Sequence, residues 1–354
     1  MNKEPVVAVC GATGAVGREM LLVLEQRNFP AGRVKALASK RSAGKRIDYN
    51  GSGATGTYSD GHSYVTVEEM CPKAFEGVDI ALFSAGAGVS EQYRDDVVSA
   101  GAVMIDNSSA FRMEAGVPLV VPEVNPEDAA KHNGVIANPN CSTIQMVVVL
   151  NALAKLAPMR RVVVSTYQAA SGAGAKAMDE LYTQSQQFLD GDALTIEKFS
   201  HQIAFNCIPQ IDVFLDDEYD GGGFDGSTKE EWKMIVETRK IMHADDLRLA
   251  MTCVRVPVLR CHAESINVEF ASDVSVDGAY AALNAAPGIT VMDDPATQTY
   301  PMPGLLAGTD DVYVGRMRKD YSVDNGLAFW CVADQLRKGA ALNAVQIAEL
   351  LLGA

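Results

Sequence analysis

Val6 to Gly17 reads VVAVCGATGAVG, an apolar run with glycines at 11, 14 and 17 behind it. Met20, Leu21, Val23 and Leu24 then recur at helical spacing, so the stretch reads as a strand, a glycine turn and a helix. Glycines three apart after a strand let the backbone approach a pyrophosphate while the helix N-terminus faces it, although the spacing differs from the standard dinucleotide fingerprint. A tight strand-to-helix connection is the alternative reading. Further strands are expected at Val34 to Ala38, Val78 to Phe83 and Val103 to Asp106, with helices between them, as at Ser90 to Ser99. Strands alternating with helices predict an α/β domain with a doubly wound parallel sheet.

The end of the second strand bears on the cofactor. An NAD site places an acid there to bond the ribose 2′-hydroxyl, whereas this chain has Ser39, Lys40, Arg41 and Ser42. Two hydroxyls and two cations suit a 2′-phosphate, which favours NADP over NAD, with an ordinary solvated loop as the alternative.

Texture changes after residue 140. Arg161 to Gln168 reads as a strand, Ala175 to Gln187 as a helix, and Cys253 to Pro257 with Ser265 to Phe270 as two strands, which together indicate an α+β domain. Leu327 to Leu352 reads as one or two amphipathic helices that return to the first domain. The expected division is therefore 1–139, completed by 327–354, and 140–326. Gly221 to Gly226 reads as a glycine-rich loop.

With 354 residues and 48% hydrophobic composition, the chain can bury a large core in two domains. A formal net charge of −15 with no basic stripe argues against a nucleic-acid partner. The apolar run Val6 to Cys10 is too short for a signal peptide's core or a membrane span, so a cytoplasmic location is expected. Seven scattered cysteines and five histidines show neither a disulfide framework nor metal-ligand spacing, so reduced thiols and no metal site are expected.

Asn138 to Thr143 reads NPNCST and opens an apolar run from Ile144 to Leu156. Pro139 and Asn140 stop any earlier helix, and Cys141 falls where a new one starts. Unpaired N–H groups there favour a thiolate, which makes Cys141 a candidate nucleophile; simple core packing is the bland alternative. VSTYQAASGAG, from Val164 to Gly174, offers Gln168 to orient a substrate and a turn whose backbone suits approach to a nicotinamide. KEEWK puts Glu230 and Lys233 on one helical face, CVRVPVLRCH carries Arg255 and His262, and SSAFR places Arg112 beyond the fourth strand. Each also has an ordinary structural reading as a surface pair, a satisfied histidine or a local salt bridge.

Taken in order, GATGAVG, SSAFR, NPNCST, QAASGAG, HQIAFNCIPQID from His201 to Asp212, KEEWKM and RVPVLRCH resemble aspartate-semialdehyde dehydrogenase in its shorter bacterial form over essentially the whole length. The resemblance implies a Rossmann-like domain, an α+β catalytic and dimerisation domain, and a homodimer to which the segment near Ala175 to Phe199 contributes. It implies NADP-dependent interconversion of 4-phospho-aspartate and aspartate 4-semialdehyde, feeding lysine, threonine, methionine and diaminopimelate synthesis. Position by position, Cys141 is the implied nucleophile and His262 the acid/base, while Gln168, Glu230 and Arg255 contact substrate and Arg112 with Lys233 binds phosphate. Implied cofactor contacts are Gly11, Thr13, Gly14, Ala15 and Val16 in the turn, Ser39, Arg41 and Ser42 beyond the second strand, Ser171 and Gly172, and Asn325. Cys261, where a small residue is expected beside His262, is a departure that leaves the packing and oxidation sensitivity there open. Two rivals remain: N-acetyl-glutamyl-phosphate reductase, whose acetylated substrate gives Glu230 no ammonium to meet, and an idle NADPH-binding redox sensor with Cys141 as an oxidisable thiol.

Overall fold

Residues 3–353 are described by a computed structural model, and they divide into two compact units. The first runs through Asn140 and resumes at Gly339; the second is Cys141–Lys338.

In the first unit the strands are β1 (Val6–Cys10), β2 (Arg33–Ala38), β3 (Arg46–Asp48), β4 (Gly56–Thr57), β5 (Ser63–Glu69), β6 (Ile80–Phe83), β7 (Val103–Asp106) and β8 (Val135–Ala137). Helices α1 (Ala15–Gln26) and α2 (Ala87–Ser99) follow β1 and β6. The sheet order is β3-β5-β2-β1-β6-β7-β8, with β4 beside β5. It is parallel from β5 to β8, and β3 and β4 run antiparallel to β5. The doubly wound expectation therefore holds, with β1 as the strand from which the order departs both ways. Val7, Ala8, Val9 and Cys10 are wholly buried, as a strand covered on both faces requires. Gly11 has φ +85°, and a Cβ there would lie 2.3 Å from the carbonyl oxygen of Ser84, so only glycine fits where the chain turns from β1 into α1.

The second unit contains α3 (Cys141–Ala154), β9 (Met159–Gln168), α4 (Ala175–Asp190), α5 (Lys229–Met242), β10 (Arg248–Arg255), β11 (His262–Phe270), α6 (Val276–Ala285), β12 (Ile289–Val291), α7 (Pro303–Leu306), β13 (Val312–Asp320) and β14 (Gly326–Ala333). Its six-stranded sheet has the order β10-β9-β11-β14-β13-β12. β9 and β10 are parallel, and β11 is antiparallel to both β9 and β14. α3 packs against α5 and α6 and is buried nearly all round. α5 starts with a capping box: Glu231 N–H donates to the Thr228 hydroxyl, and Thr228 N–H donates to the Glu231 carboxylate at 2.7 Å.

One expectation is corrected. Gly326–Ala333 is a strand hydrogen-bonded on both sides, not the start of a helix, so residues 326–338 belong to the second unit. LAFWCVA is apolar throughout because both faces are covered, and such a run has no period to separate strand from helix. Only the last helix, α8 (Leu342–Leu352), completes the first unit, where Leu342, Val345, Ile347 and Ala348 join Met20, Leu21 and Leu24 of α1 in one core.

Candidate active site

Because β9 and β10 are parallel and β11 runs against them, the ends of β9 and β10 and the start of β11 fall on one edge of the second sheet. Gln168 is the last residue of β9, Arg255 the last of β10 and His262 the first of β11. All three side chains are buried. Cys141, half-buried, is the first residue of α3, where the helix dipole stabilises negative charge. It lies close enough to Arg255 for a thiolate to favour the guanidinium.

The turn after β9 binds these parts together. Ala170 and Ser171 N–H groups donate to the carbonyls of Val258 and Leu259, pinning the turn to the β10–β11 connection. Ala169 contributes twice: its carbonyl accepts from Arg255 Nη1 at 2.7 Å, and its N–H donates to His262 Nδ1 at 3.0 Å. With Nδ1 occupied as an acceptor, neutral His262 carries its proton on Nε2. Nε2 is buried and bonds to no group among the described residues. Burial first, and the Arg255 cation second, hold the His262 pKa well below 6.5, so the ring is a neutral N–H donor at physiological pH. Burial also lowers the Arg255 pKa, with Glu230 opposing the shift. A Cβ on Gly172 would lie 2.9 Å from Arg255 Nη1 and 3.0 Å from His262 Cε1 and Nε2, so glycine keeps this edge open.

Glu230 and Lys233 project from the first turns of α5. Gln168 Nε2 donates to Glu230 Oε1 at 3.2 Å, and Lys233 Nζ reaches Glu230 Oε2 at 3.3 Å and Asp212 Oδ2 at 2.7 Å. Burial works against charge on Asp212, but the Lys233 ammonium outweighs it and holds the carboxyl below its usual range. The second unit thus gathers a thiol at a helix end, a buried guanidinium, a carboxylate, an amide, an ammonium and an imidazole N–H. Such a set can hold an amino acid by both charges while a thiolate attacks its side-chain carbonyl.

Asn325 does not join them. It sits in the turn before β14, beside Phe270 at the far end of β11, and the register from Glu269↔Gly326 to His262↔Ala333 separates it from His262 by roughly 20 Å of strand. Gln335, two residues past β14, is at the near end. Its Oε1 accepts from Cys261 N–H at 2.8 Å, and its Nε2 donates to the Ser171 hydroxyl. Sequence reading missed it because β14 was read as helix; a polar residue just past a buried strand was the available signal. Cys261 is buried with φ +72°, a conformation natural to glycine, and burial pushes its thiol up to about 12, which makes it unreactive.

In the first unit, Gly14 precedes α1, and no side chain caps that helix. Thr13, Ala15 and Val16 are half-buried around the turn. Ser39, Lys40 and Arg41 are exposed just past β2, Ser42 is buried, and neither cation has an ion-pair partner among the described residues. No acid follows β2 there. These features fit a phosphorylated dinucleotide. Arg112, also in this unit, is buried, with Nη2 donating to the carbonyl of Asn107 at 2.8 Å.

Residues 6–132 match the semialdehyde dehydrogenase NAD binding domain, and residues 150–338 match the semialdehyde dehydrogenase dimerisation domain. An aspartate-semialdehyde dehydrogenase of Aquifex aeolicus is 50% identical over 349 residues, spanning 98% of this chain and 97% of that protein. The chain belongs to the aspartate-semialdehyde dehydrogenase family. It is an oxidoreductase with a domain for a nicotinamide cofactor. Among solved members of the family, aspartate semialdehyde dehydrogenase II from Vibrio cholerae, complexed with ASA, is 43% identical with a TM-score of 0.91 over 99% of each chain. A Candida albicans enzyme with NADP is 26% identical with a TM-score of 0.71 over 98% of each chain. No helix among the described residues is long and apolar enough to cross a membrane.

Proposed function

We propose that this chain reduces 4-phospho-L-aspartate to L-aspartate 4-semialdehyde with NADPH, through a thioester on Cys141. The observation that carries the reading is the convergence of Cys141, Gln168, Glu230, Arg255 and His262 at one sheet edge, each matched to one part of that substrate. Arg255 takes the α-carboxylate, Glu230 the α-ammonium, and Gln168 orients the chain between them. Lys233 serves the phosphate, and Arg112 is its proposed companion.

The Cys141 thiolate attacks the acyl carbon, and the carbonyl oxygen becomes an oxyanion facing His262 Nε2–H. Collapse breaks the C–O bond to phosphate, which leaves with the bonding pair, and the thioester remains. A bound NADPH would supply the hydride, and the thioester carbon that accepted it would leave a hemithioacetal oxyanion on Cys141. His262 holds this second oxyanion in the same way, and its collapse breaks the C–S bond, releasing aldehyde and thiolate. With Nδ1 fixed as an acceptor, His262 acts here as a neutral donor, a narrower role than acid/base catalyst.

Lys40 and Arg41 support NADP as the cofactor, since both are exposed just past β2 and neither pairs with an acid among the described residues. A homodimer through the second unit is supported by its dimerisation-domain match and by the exposed side chains of Tyr182, Phe188, Leu189, Phe205 and Phe214, of which Phe188 and Phe205 are in ring contact. Among the described residues no two cysteines form a disulfide, which supports a reducing compartment such as the cytoplasm.

The deciding experiment is phosphate-dependent reduction of NADP with aspartate semialdehyde, beside N-acetyl-glutamate semialdehyde, for wild type and Cys141→Ala. Turnover of the first aldehyde only, lost in the variant, is expected. Turnover of the second alone moves the activity to the longer, acetylated substrate, and tight NADPH binding with neither activity leaves a redox sensor.

A further inference from the structure

Two residues behind the catalytic edge, the same sheet face carries a second polar layer. Thr166, Cys253 and Glu264 lie two residues from Gln168, Arg255 and His262 respectively, so each side chain points to the same face as the site residue ahead of it. Thr166 is paired in register with Cys253 on one side and Glu264 on the other, and Glu264 is paired with Cys331 beyond. Gln145 reaches this layer from α3, one helical turn after Cys141, and its amide is close enough to act on the charge of Glu264. All five side chains are buried. Both oxygens of Glu264, Nε2 of Gln145 and Oγ1 of Thr166 are closed from solvent without a hydrogen-bond partner among the described residues. Buried polar atoms are rarely left so, and these have one another as neighbours.

We propose that the carboxyl of Glu264, with Gln145 and Thr166, is a positioning device that ties the helix bearing Cys141 to the strand bearing His262 and so sets the spacing between nucleophile and N–H donor. Glu264 does this as the neutral acid. The layer also holds the thiols of Cys331, beside it, and Cys253, beyond Thr166, both kept protonated by burial, and among the described residues no cation balances a carboxylate there. A neutral carboxyl offers one acceptor and one donor: its C=O accepts from the Gln145 amide, and its O–H donates to the Thr166 hydroxyl. The Thr166 hydroxyl is left to face the Cys253 sulfur, whose pKa it lowers against the stronger effect of burial. The chain of donors runs from α3 through β11 to β9 and β10, the elements that also deliver Cys141, His262, Gln168 and Arg255. Glu264 touches no substrate atom and acts only through those residues.

The inference rests on the reaction proposed above, and its test separates the two. Glu264→Gln keeps shape, neutrality, an acceptor and a donor; Glu264→Leu and Gln145→Leu keep bulk and remove the link. Glu264→Gln is expected to hold kcat within about threefold of wild type, while each Leu variant loses about tenfold or more with KM for aspartate semialdehyde little changed. The double Leu variant is expected to be no worse than the poorer single, since one link is cut once. A Glu264→Leu enzyme with wild-type kcat, a Glu264→Gln enzyme as poor as Glu264→Leu, or additive losses would each overturn the proposal. Infrared difference spectra of wild type against Glu264→Gln at neutral pH give a readout independent of substrate and of whether the Leu variants fold. A protonated-carboxyl band that vanishes in the variant is expected, and its absence in wild type overturns the neutral clamp even if the enzyme acts on the aldehyde. If the aldehyde is not a substrate, the infrared band still decides the state of Glu264 while the functional reading fails separately.

Discussion

Gly172→Ala tests the geometry of the site with a single methyl group. The added carbon would sit 2.9 Å from Arg255 Nη1 and 3.0 Å from His262 Cε1 and Nε2. Relaxed heavy-atom contacts lie at about 3.5–4.0 Å, so something must move by about 0.5–1 Å. Arg255 has little room to give, since Nη1 donates to the Ala169 carbonyl at 2.7 Å and its backbone is paired with Ile208 in both directions at 2.9 Å. His262 is held through Nδ1 by the N–H of that same Ala169. Losing one hydrogen bond to a charged group costs about 1.5–3 kcal/mol, which at about 1.4 kcal/mol per decade is roughly 10–100-fold in kcat/KM. The loss is expected in kcat as His262 is displaced and in KM for the aldehyde as Arg255 is. NADP reduction with saturating phosphate, read over a range of aldehyde concentrations, separates the two. Thermal unfolding supplies the control: Gly88→Ala, in α2 with open space around the new carbon, is expected to keep full activity. A Gly172→Ala enzyme with unchanged kcat and KM would refute the assignment of Arg255 and His262 to the reacting substrate.

Lys40→Ala and Arg41→Ala are each expected to raise KM for NADPH by about tenfold while leaving NADH nearly unaffected, as steady-state rates with both cofactors will read; equal losses would remove the 2′-phosphate assignment. At Cys261, whose φ of +72° costs an L-residue about 1–2 kcal/mol, glycine is expected to hold or raise the midpoint of chemical unfolding and valine to lower it; a drop with glycine would mean that thiol packing outweighs the backbone strain. His262 has a folded pKa depressed below the ordinary 6.5, so the unfolded chain binds the extra proton. Its contribution is intact above about pH 6.5 and is lost as pH falls below that value, by up to about 1.4 kcal/mol per unit. Urea unfolding at pH 7.5 and 5.5 is therefore expected to show a shallower decline for His262→Gln than for wild type, and parallel declines would place a proton on the folded ring.

The parts of this molecule that could be read from its sequence are those whose spacing has a local cause. VVAVCGATGAVG predicts strand, turn and helix because the turn into α1 needs glycine at positive φ, as at Gly11 (φ +85°), a demand met within a dozen residues. Cys141 at the head of α3 and the Glu230–Lys233 pair on α5 are local in the same sense. Gln335 was not legible, because its two bonds span 74 and 164 residues of chain and exist only once β14 is known to be a strand. Asn325, which the resemblance implies beside the cofactor, lies in the turn before β14, at the opposite end of that strand from Gln335. The same reasoning explains why Glu264 escaped notice. On the sequence it is one carboxylate among many acids, and nothing local marks it as buried. Its place behind His262 follows from the antiparallel register of β9, β11 and β14, which stacks Cys253, Thr166, Glu264 and Cys331 into a row. Strand register is a long-range property, so residues that hold a catalytic edge from behind are the ones a sequence reading loses first, while those that touch substrate keep the local signatures of their chemistry.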